Sequence, residues 1–322
     1  MHSRREILRL AAFAGGAIAT PTIVRAQGSR TLVFSHHLTA THVAHLAAER
    51  IAALVDQRTG GALKLEIRPA GQLFNLRTAA EAIQLGTLDL CWTDLATLGN
   101  WRPEFGFIGL PFLFTGYDHV RAVLQGPVGE GLSADVRTAL GVEVLALGGS
   151  GFRVFLAKMP IPNAAACAGI KLRIPEVPVW VAMARALGAV PTPIPGPEIY
   201  TALQTGVIDA IEVPPDSIVG RKLYEVAGHS SRTFHMFTEA SIMANGAVID
   251  SLGEAGAVLR AAAREVVHGW MWGENIREQS AAWATTAANT QAIEEPDRES
   301  FRAAVRPVID DFVAANGEAG AR

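Results

Sequence analysis

The sequence predicts an α/β fold made of two similar lobes. Its 322 residues exceed what one core of ordinary size contains, so we expect two domains or one large one. Short apolar segments alternate with amphipathic helical segments, which is typical of βαβ units and parallel strands. Residues 82–89 recur as residues 202–209, with the same helix end, glycine and aspartate. This repeat indicates that the two lobes are built alike.

Composition excludes several classes of protein. The chain is 49% hydrophobic and 18% charged with a formal net charge of −3, which gives no general attraction to nucleic acid or to an anionic membrane. Two cysteines, Cys91 and Cys167, are too few for a disulfide scaffold or a zinc site built on thiolates. Whether these two pair with each other is left open.

Residues 1–26 predict a cleaved export signal. Arg4-Arg5 lies in a segment that resembles the twin-arginine motif, and the apolar stretch 10–19 is too short to span a bilayer. Val24 and Ala26 supply small side chains at the −3 and −1 positions of a cleavage site before Gln27. An ordinary amphipathic helix is the alternative. We therefore expect the mature protein to work in the periplasm.

The positions of proline and glycine predict where the helices begin and end. Helices are predicted to begin at Pro178 and Pro197, because proline suits the first helical turn, and to end at glycines. Gly148–Gly151 is predicted to join two strands and to carry the chain between the lobes. The predicted strands are 31–35, 63–68, 88–92, 142–147, 152–156, 170–174 and 207–211. The predicted helices are 42–57, 77–85, 178–188, 197–205, 254–285 and 298–315.

The ends of these strands predict a binding site. Ligands of open α/β sheets bind beyond the carboxyl ends of the strands. The candidates there are His36, His37, Trp92, Thr93, Asp94, Arg173 and Glu212, with Arg153 near the start of a strand. Arg173 has apolar neighbours, and a buried guanidinium needs an anionic partner. Spacing alone favours a bound carboxylate and a structural ion pair equally.

Other candidates have ordinary explanations. His42 and His45 are three apart on a helix, but no carboxylate or cysteine at ligand spacing completes a metal site, so we predict none. Trp92 and Trp180 could line a ligand or pack in the core; Trp180 is the better candidate because it follows Arg173 closely. The chain has no Gly-x-Ser-x-Gly, phosphate-binding loop or His-Glu-x-x-His, so we predict neither an enzyme nor a cofactor.

Residues 32–312 resemble the solute-binding proteins of tripartite ATP-independent periplasmic (TRAP) transporters. The resemblance rests on an ordered set of motifs, each weak alone. The motifs are Thr59-Gly60-Gly61, Pro69–Leu73, Ile83–Asp89, Phe107–Phe114, Tyr117-Asp118, Gly151–Arg153, Gly169–Ile174, Ala186–Ala189 and Tyr200–Asp209.

The resemblance implies a periplasmic binding protein of two α/β lobes with a hinge and an interlobe cleft. Lobe I would be residues 27–149 with 239–278, and lobe II residues 150–238 with 279–322, the helix 254–285 spanning both. The resemblance also implies partners, a small and a large membrane subunit that deliver the ligand by an ion gradient, and no ATPase.

The same resemblance assigns roles to residues. Arg173 matches the arginine that binds a substrate carboxylate. Arg153 matches an arginine that is often a second contact to the substrate, and Glu212 matches a glutamate of the family's binding site. Val213 stands where many members have a polar or aromatic residue, and Pro195–Pro197 replaces an aromatic wall. The identity of the acid is therefore open.

Our hypothesis is capture of a small organic acid. Arg173 would hold its carboxylate, Arg153 would add a second bond, and Glu212 and Thr93 would share ligand hydroxyls. Because Glu212 disfavours a second carboxylate, a hydroxylated monocarboxylate such as a sugar acid is preferred. The alternatives are a dicarboxylate, a receptor that presents its ligand to a membrane sensor, and a periplasmic enzyme on the same fold.

Overall fold

The described part of the chain forms two β-sheets, each flanked by helices. The structure is a computed structural model that describes residues 29–321, so the predicted export signal lies outside the described residues. Within that range no helix combines the length and apolar character needed to cross a membrane. The predicted α/β architecture of two lobes, each built on one sheet, is confirmed.

The first sheet has the strand order β2-β1-β3-β10-β4. Its strands are β1 (Arg30–Ser35), β2 (Leu63–Arg68), β3 (Leu90–Thr93), β4 (Val142–Phe152) and β10 (Phe237–Asn245). Strand β1 pairs in parallel with β2 and β3, as predicted. Strand β10 was not predicted and runs antiparallel to β3 and β4, because the chain returns to this sheet from the other lobe.

The second sheet has the order β11-β9-β5-β8-β6-β7. Its strands are β5 (Val154–Ala157), β6 (Lys171–Ile174), β7 (Val190–Pro193), β8 (Ala210–Val213), β9 (His229–Ser231) and β11 (Gln291–Ile293). Strand β6 is parallel to β7 and β8, whereas β5 is antiparallel to β8 and β9. The strands that carry Arg173 and Glu212 are therefore neighbours and end at the same edge.

Helices cover both sheets. They are α1 (Val43–Arg58), α2 (Leu76–Leu85), α3 (Tyr117–Leu124), α4 (Pro127–Leu140), α5 (Pro178–Ala186), α6 (Ile199–Thr205), α7 (Pro215–Gly220), α8 (Gly246–Ser251), α9 (Glu254–Arg264), α10 (Trp272–Ala288) and α11 (Arg298–Ala321). A π-helical segment, Glu265–Met271, joins α9 to α10, so the predicted long helix is present with one local change of winding. Helix α10 packs against β4 of the first lobe and α7 of the second.

The internal repeat has the same structural role in each lobe. Helices α2 and α6 end at Gly86 and Gly206, whose φ angles of 74° and 78° lie in the left-handed region that glycine tolerates. Three residues later, Asp89 accepts the backbone N–H of Val33 at 2.8 Å, and Asp209 accepts that of Lys171 at 2.9 Å. Each aspartate thus ties the start of one strand to its neighbour.

The predicted break at Gly148–Gly151 is wrong. Strand β4 runs unbroken through these glycines and pairs with β10. A Cβ atom on Gly149 would lie 2.9 Å from Cε1 of Phe237, and one on Gly151 would lie 2.6 Å from Cδ of Gln279. Glycine is therefore required by close packing and not by a turn. The chain passes to the second sheet at Arg153; the exact lobe boundaries stay a prediction.

Candidate functional site

A cleft lies where the carboxyl ends of β3, β6 and β8 face each other across the two lobes. The empty space between its walls, with the open solvent at its mouth included, is about 1040 Å³. The first lobe contributes the loop after β3 and the start of α2, and the second contributes β6, α5 and the turn before α6. The residues that line the cleft include Trp92, Thr93, Asp94, Thr97, Arg153, Arg173, Trp180, Val213 and Arg221.

Arg173 lies on β6 with its guanidinium in the cleft wall. The residue is only 5% exposed, and its Nε donates to the carbonyl oxygen of Ile194 at 2.7 Å. No carboxylate of the described residues forms an ion pair with it. Burial, followed by the charge of Arg153, lowers the pKa of Arg173 to about 9, so the side chain is still a cation at neutral pH. The two terminal nitrogens are thus available to an anion in the cleft.

Arg153 is instead neutralised inside the protein. Its guanidinium binds the Glu212 carboxylate through Nε and through Nη2, the latter at 2.7 Å from Oε1. Nη1 donates to Oγ1 of Thr238 at 2.8 Å, and Cζ lies 4.7 Å above the ring of Trp180. Arg153 still lines the cleft, but its charge is already compensated.

Glu212 is fully buried on β8 and is absent from the cleft lining. His235 also approaches this carboxylate, with Nε2 at 3.3 Å from Oε2. Burial alone would raise the pKa of Glu212, but Arg153 and then His235 lower it below its ordinary value. The carboxylate is therefore ionised at neutral pH and forms a structural pair with Arg153, away from the empty space.

The first-lobe wall is rich in polar groups without partners. Trp92 and Thr93 are the last residues of β3, and Asp94 follows them. Trp92 Nε1 and Thr97 Oγ1 are buried and have no hydrogen-bond partner among the described residues. The Asp94 carboxyl, 7% exposed, makes no hydrogen bond with the 3₁₀ helix that it precedes. Burying a polar atom without a hydrogen-bond partner reduces the stability of the fold.

The remaining predicted residues take different positions. His37 and Val213 line the cleft, and the carbonyl oxygen of His37 accepts a hydrogen bond from Nη2 of Arg221 at 3.1 Å across the lobes. His36 lies outside the cleft lining and is fully buried, with Nε2 at 3.0 Å from Nδ1 of His45. Burial lowers the pKa of His36 to about 3, so the ring is neutral.

The two lobes are closed onto each other. Nη1 of Arg77 on α2 lies 2.8 Å from Oε2 of Glu176, which follows β6 in the second lobe. Trp180 packs between the lobes, and its Nε1 donates to the carbonyl oxygen of Gly109 at 3.1 Å. A ligand held by Arg173 would therefore be enclosed by both walls.

Two cleft residues escaped prediction, and a third was predicted only in part. Asp94 was expected to line the cleft because it follows Trp92 and Thr93 at the end of a strand, but no contact with the ligand was assigned to it. Thr97 lies in a 3₁₀ helix and Arg221 directly after α7, and neither has a local pattern that marks it. The two cysteines are buried, and both are free thiols.

Comparisons with known proteins identify the family of the chain. Residues 34–316 match the model of the family "Bacterial extracellular solute-binding protein, family 7". The chain is 31% identical over 247 residues (76% of this chain, 72% of the relative) to the 2,3-diketo-L-gulonate-binding periplasmic protein YiaO of Escherichia coli K12. It is 31% identical over 237 residues (73% and 68%) to the C4-dicarboxylate-binding periplasmic protein DctP of Rhodobacter capsulatus.

A solved structure is similar over almost the whole described chain. It is a TRAP periplasmic solute-binding protein from Polaromonas sp. JS666 bound to D-erythronate, with a TM-score of 0.85 and 32% identity. The match covers 91% of this chain and 97% of that one. The chain therefore belongs to family 7 of the bacterial extracellular solute-binding proteins and is a periplasmic solute-binding protein of the TRAP type.

Proposed function

We propose that the protein captures a small hydroxylated monocarboxylate in its cleft, with the carboxylate held by Arg173. The observation that carries this proposal is a buried guanidinium that faces the cleft without a carboxylate partner among the described residues. A planar guanidinium matches a carboxylate in a bidentate arrangement with short, charge-assisted bonds. The carboxylate of such an acid would neutralise the positive charge of Arg173, which no carboxylate of the described residues pairs with.

The choice of a hydroxylated acid rests on the rest of the cleft. Asp94 lines the first-lobe wall, and its carboxyl suits the hydroxyl groups of a ligand. A similar structure holds D-erythronate, a hydroxylated monocarboxylate. Thr93 also lines this wall, whereas Glu212 acts on the ligand only through Arg153.

A dicarboxylate is the second candidate. Arg221 is a further cation in the cleft, and one relative is a C4-dicarboxylate-binding protein. Binding assays with both kinds of acid decide between the two candidates.

We propose delivery and not turnover as the outcome of binding. The captured acid would be released unchanged to the small and large membrane subunits of a TRAP transporter, after export of the chain through its N-terminal signal. Closure of the two lobes would follow from the ligand, because only the closed form lets both walls touch it. A sensor-coupled receptor would instead release no ligand to a permease, and an enzyme would return a changed acid.

A thermal-shift experiment tests the proposal. D-erythronate, D-gluconate, meso-tartrate, D-glucarate and succinate are added to the purified mature protein. A bound acid at a hundred times its Kd stabilises the protein by about 2.7 kcal/mol, which is readily measured. Arg173→Gln should remove the response, while Arg185→Gln, an exposed arginine of the same lobe, should keep it.

The same experiment can overturn the proposal. A full response of Arg173→Gln to an acid that stabilises the wild type would show that the carboxylate is held elsewhere. Mass spectrometry of the recovered acid tests delivery against catalysis, since a changed mass would establish an enzyme.

A further inference from the structure

Asp94 is the one cleft carboxyl for which the fold supplies an acidic neighbour and no ion-pair partner among the described residues. It follows β3 on the first-lobe wall, opposite the strand that carries Arg173. The other carboxyl that lines the cleft, Glu176, is paired with Arg77 at 2.8 Å. Asp94 is therefore a buried, ionisable side chain that lines the ligand space.

We propose that Asp94 selects the ligand at the end opposite Arg173: it accepts a hydrogen bond from a ligand hydroxyl and rejects a second carboxylate. This inference rests on the proposed function, because it assumes that one carboxylate is already held by Arg173. It assigns to Asp94 the discrimination that sequence reasoning gave to Glu212, which is occupied by Arg153.

The side chain of Asp94 suits a hydroxyl group better than a second anion. It lines the cleft, and its carboxyl makes no hydrogen bond with the 3₁₀ helix that it precedes. An ionised carboxylate only accepts hydrogen bonds. A hydroxyl group of the ligand supplies a donor to Asp94, whereas a ligand carboxylate supplies acceptors only and leaves Asp94 unmatched.

A second acid behind Asp94 strengthens the rejection of anions. Glu239, 3% exposed, accepts the backbone N–H of Leu95 through Oε2 at 2.7 Å and the hydroxyl of Ser241 through Oε1. Burial, and then the charge of Asp94, raises the pKa of Glu239 well above its ordinary value. Burial raises the pKa of Asp94 to about 7, although Arg153 opposes the rise. A ligand carboxylate at this point would add a third negative charge beside Asp94 and Glu239, whose ionised forms already repel each other.

Because the pKa of Asp94 is about 7, the discrimination between mono- and dicarboxylates should depend on pH. Above pH 7 Asp94 is ionised and repels a carboxylate; below pH 7 it becomes a neutral acid that can donate to one. Preference for a monocarboxylate should therefore increase as the pH rises. The other ionisable side chains that line the cleft are His37, Arg77, Arg153, Arg173, Glu176 and Arg221.

Two pairs of acids isolate the effect. D-erythronate and meso-tartrate differ only at the terminal carbon, which is CH₂OH in one and COO⁻ in the other, and D-gluconate and D-glucarate differ in the same way. Calorimetric titration of the wild type, Asp94→Asn and Arg173→Gln with all four acids at pH 6 and pH 8 gives the preference within each pair. Asp118→Asn, an exposed acid in the first turn of α3, controls for the loss of one negative charge.

The expected result is a loss of preference. Asp94→Asn keeps the size of the side chain, so the affinity for the hydroxyl-ended member should fall about tenfold and that for the dicarboxylate should rise about tenfold; Asp118→Asn should change neither. In the wild type the preference should be larger at pH 8 than at pH 6, and in Asp94→Asn it should be the same at both.

The titrations distinguish failure of the proposed function from failure of the role assigned to Asp94. If the wild type binds none of these acids, or binds them equally well with Arg173→Gln, then the proposed function fails and the role of Asp94 fails with it. If the wild type depends on Arg173 but Asp94→Asn and the change of pH leave the preference unchanged, then the proposed function stands and the inference about Asp94 is overturned.

Discussion

The two buried arginines of the cleft should respond in opposite ways to the same substitution. Arg153→Met removes the partner of Glu212, which is fully buried, whereas Arg173→Met removes a cation that no described carboxylate compensates. The first change should therefore reduce stability. The second should leave the stability of the ligand-free protein unchanged or raise it, and should abolish binding of the acid.

The magnitudes follow from the contacts. Breaking a buried ion pair by removing one partner costs about 3–5 kcal/mol, a large part of the roughly 5–15 kcal/mol by which proteins are stable. Removing the arginine of a desolvated pair with a ligand costs about 2–5 kcal/mol of binding, or roughly a thirtyfold to a few-thousandfold loss of affinity. Because a depressed pKa of Glu212 contributes stability above about pH 4.5, the effect of Arg153→Met should be complete at neutral pH and should shrink as the pH falls through the folded pKa.

Urea unfolding without ligand and calorimetric titration with the acid separate the two effects. The double variant Arg153→Met/Glu212→Leu should regain most of the lost stability, because no unpaired charge is left. The reasoning is refuted if Arg173→Met lowers the free energy of unfolding as much as Arg153→Met does, or if it retains wild-type affinity.

Two further predictions concern packing. Gly149→Ala should lower the free energy of unfolding by about 1–3 kcal/mol, because its methyl group would collide with the ring of Phe237; Gly131→Ala, on the exposed side of helix α4, should instead raise it by up to about 1 kcal/mol. Equal effects in thermal unfolding would contradict this account of the glycines. Burial raises the pKa of the Cys91 thiol, and it raises that of Cys167 to about 12, so neither should react with a thiol reagent at pH 8 until urea is added. Rapid labelling of either cysteine in the folded protein would contradict this.

Local features of the sequence predicted the repeated units of the fold. Gly86 and Gly206 marked the ends of two helices, because a left-handed residue there is nearly always glycine. Asp89 and Asp209 followed at the same distance, and the structure gives both the same bond to a neighbouring strand. Arg173 could be placed at a strand end, but its partner could not be identified from spacing.

Features that depend on distant parts of the chain were not predictable. The pairing of Arg153 with Glu212 follows from the antiparallel register of β5 and β8, in which Phe155 lies opposite Glu212. No local pattern specifies that register, so both side chains were expected at the ligand. Likewise, the glycines of β4 are explained only by Phe237, which arrives on a strand that starts far along the chain.

A crystal structure of the mature protein with bound D-erythronate, or with whichever of the tested acids binds most tightly, examines the central claim directly. The account predicts two oxygens of the ligand carboxylate at about 2.7–2.9 Å from guanidinium nitrogens of Arg173, with Arg153 still bound to Glu212. A ligand carboxylate bound to Arg153, with Glu212 displaced and Arg173 unoccupied, would contradict it.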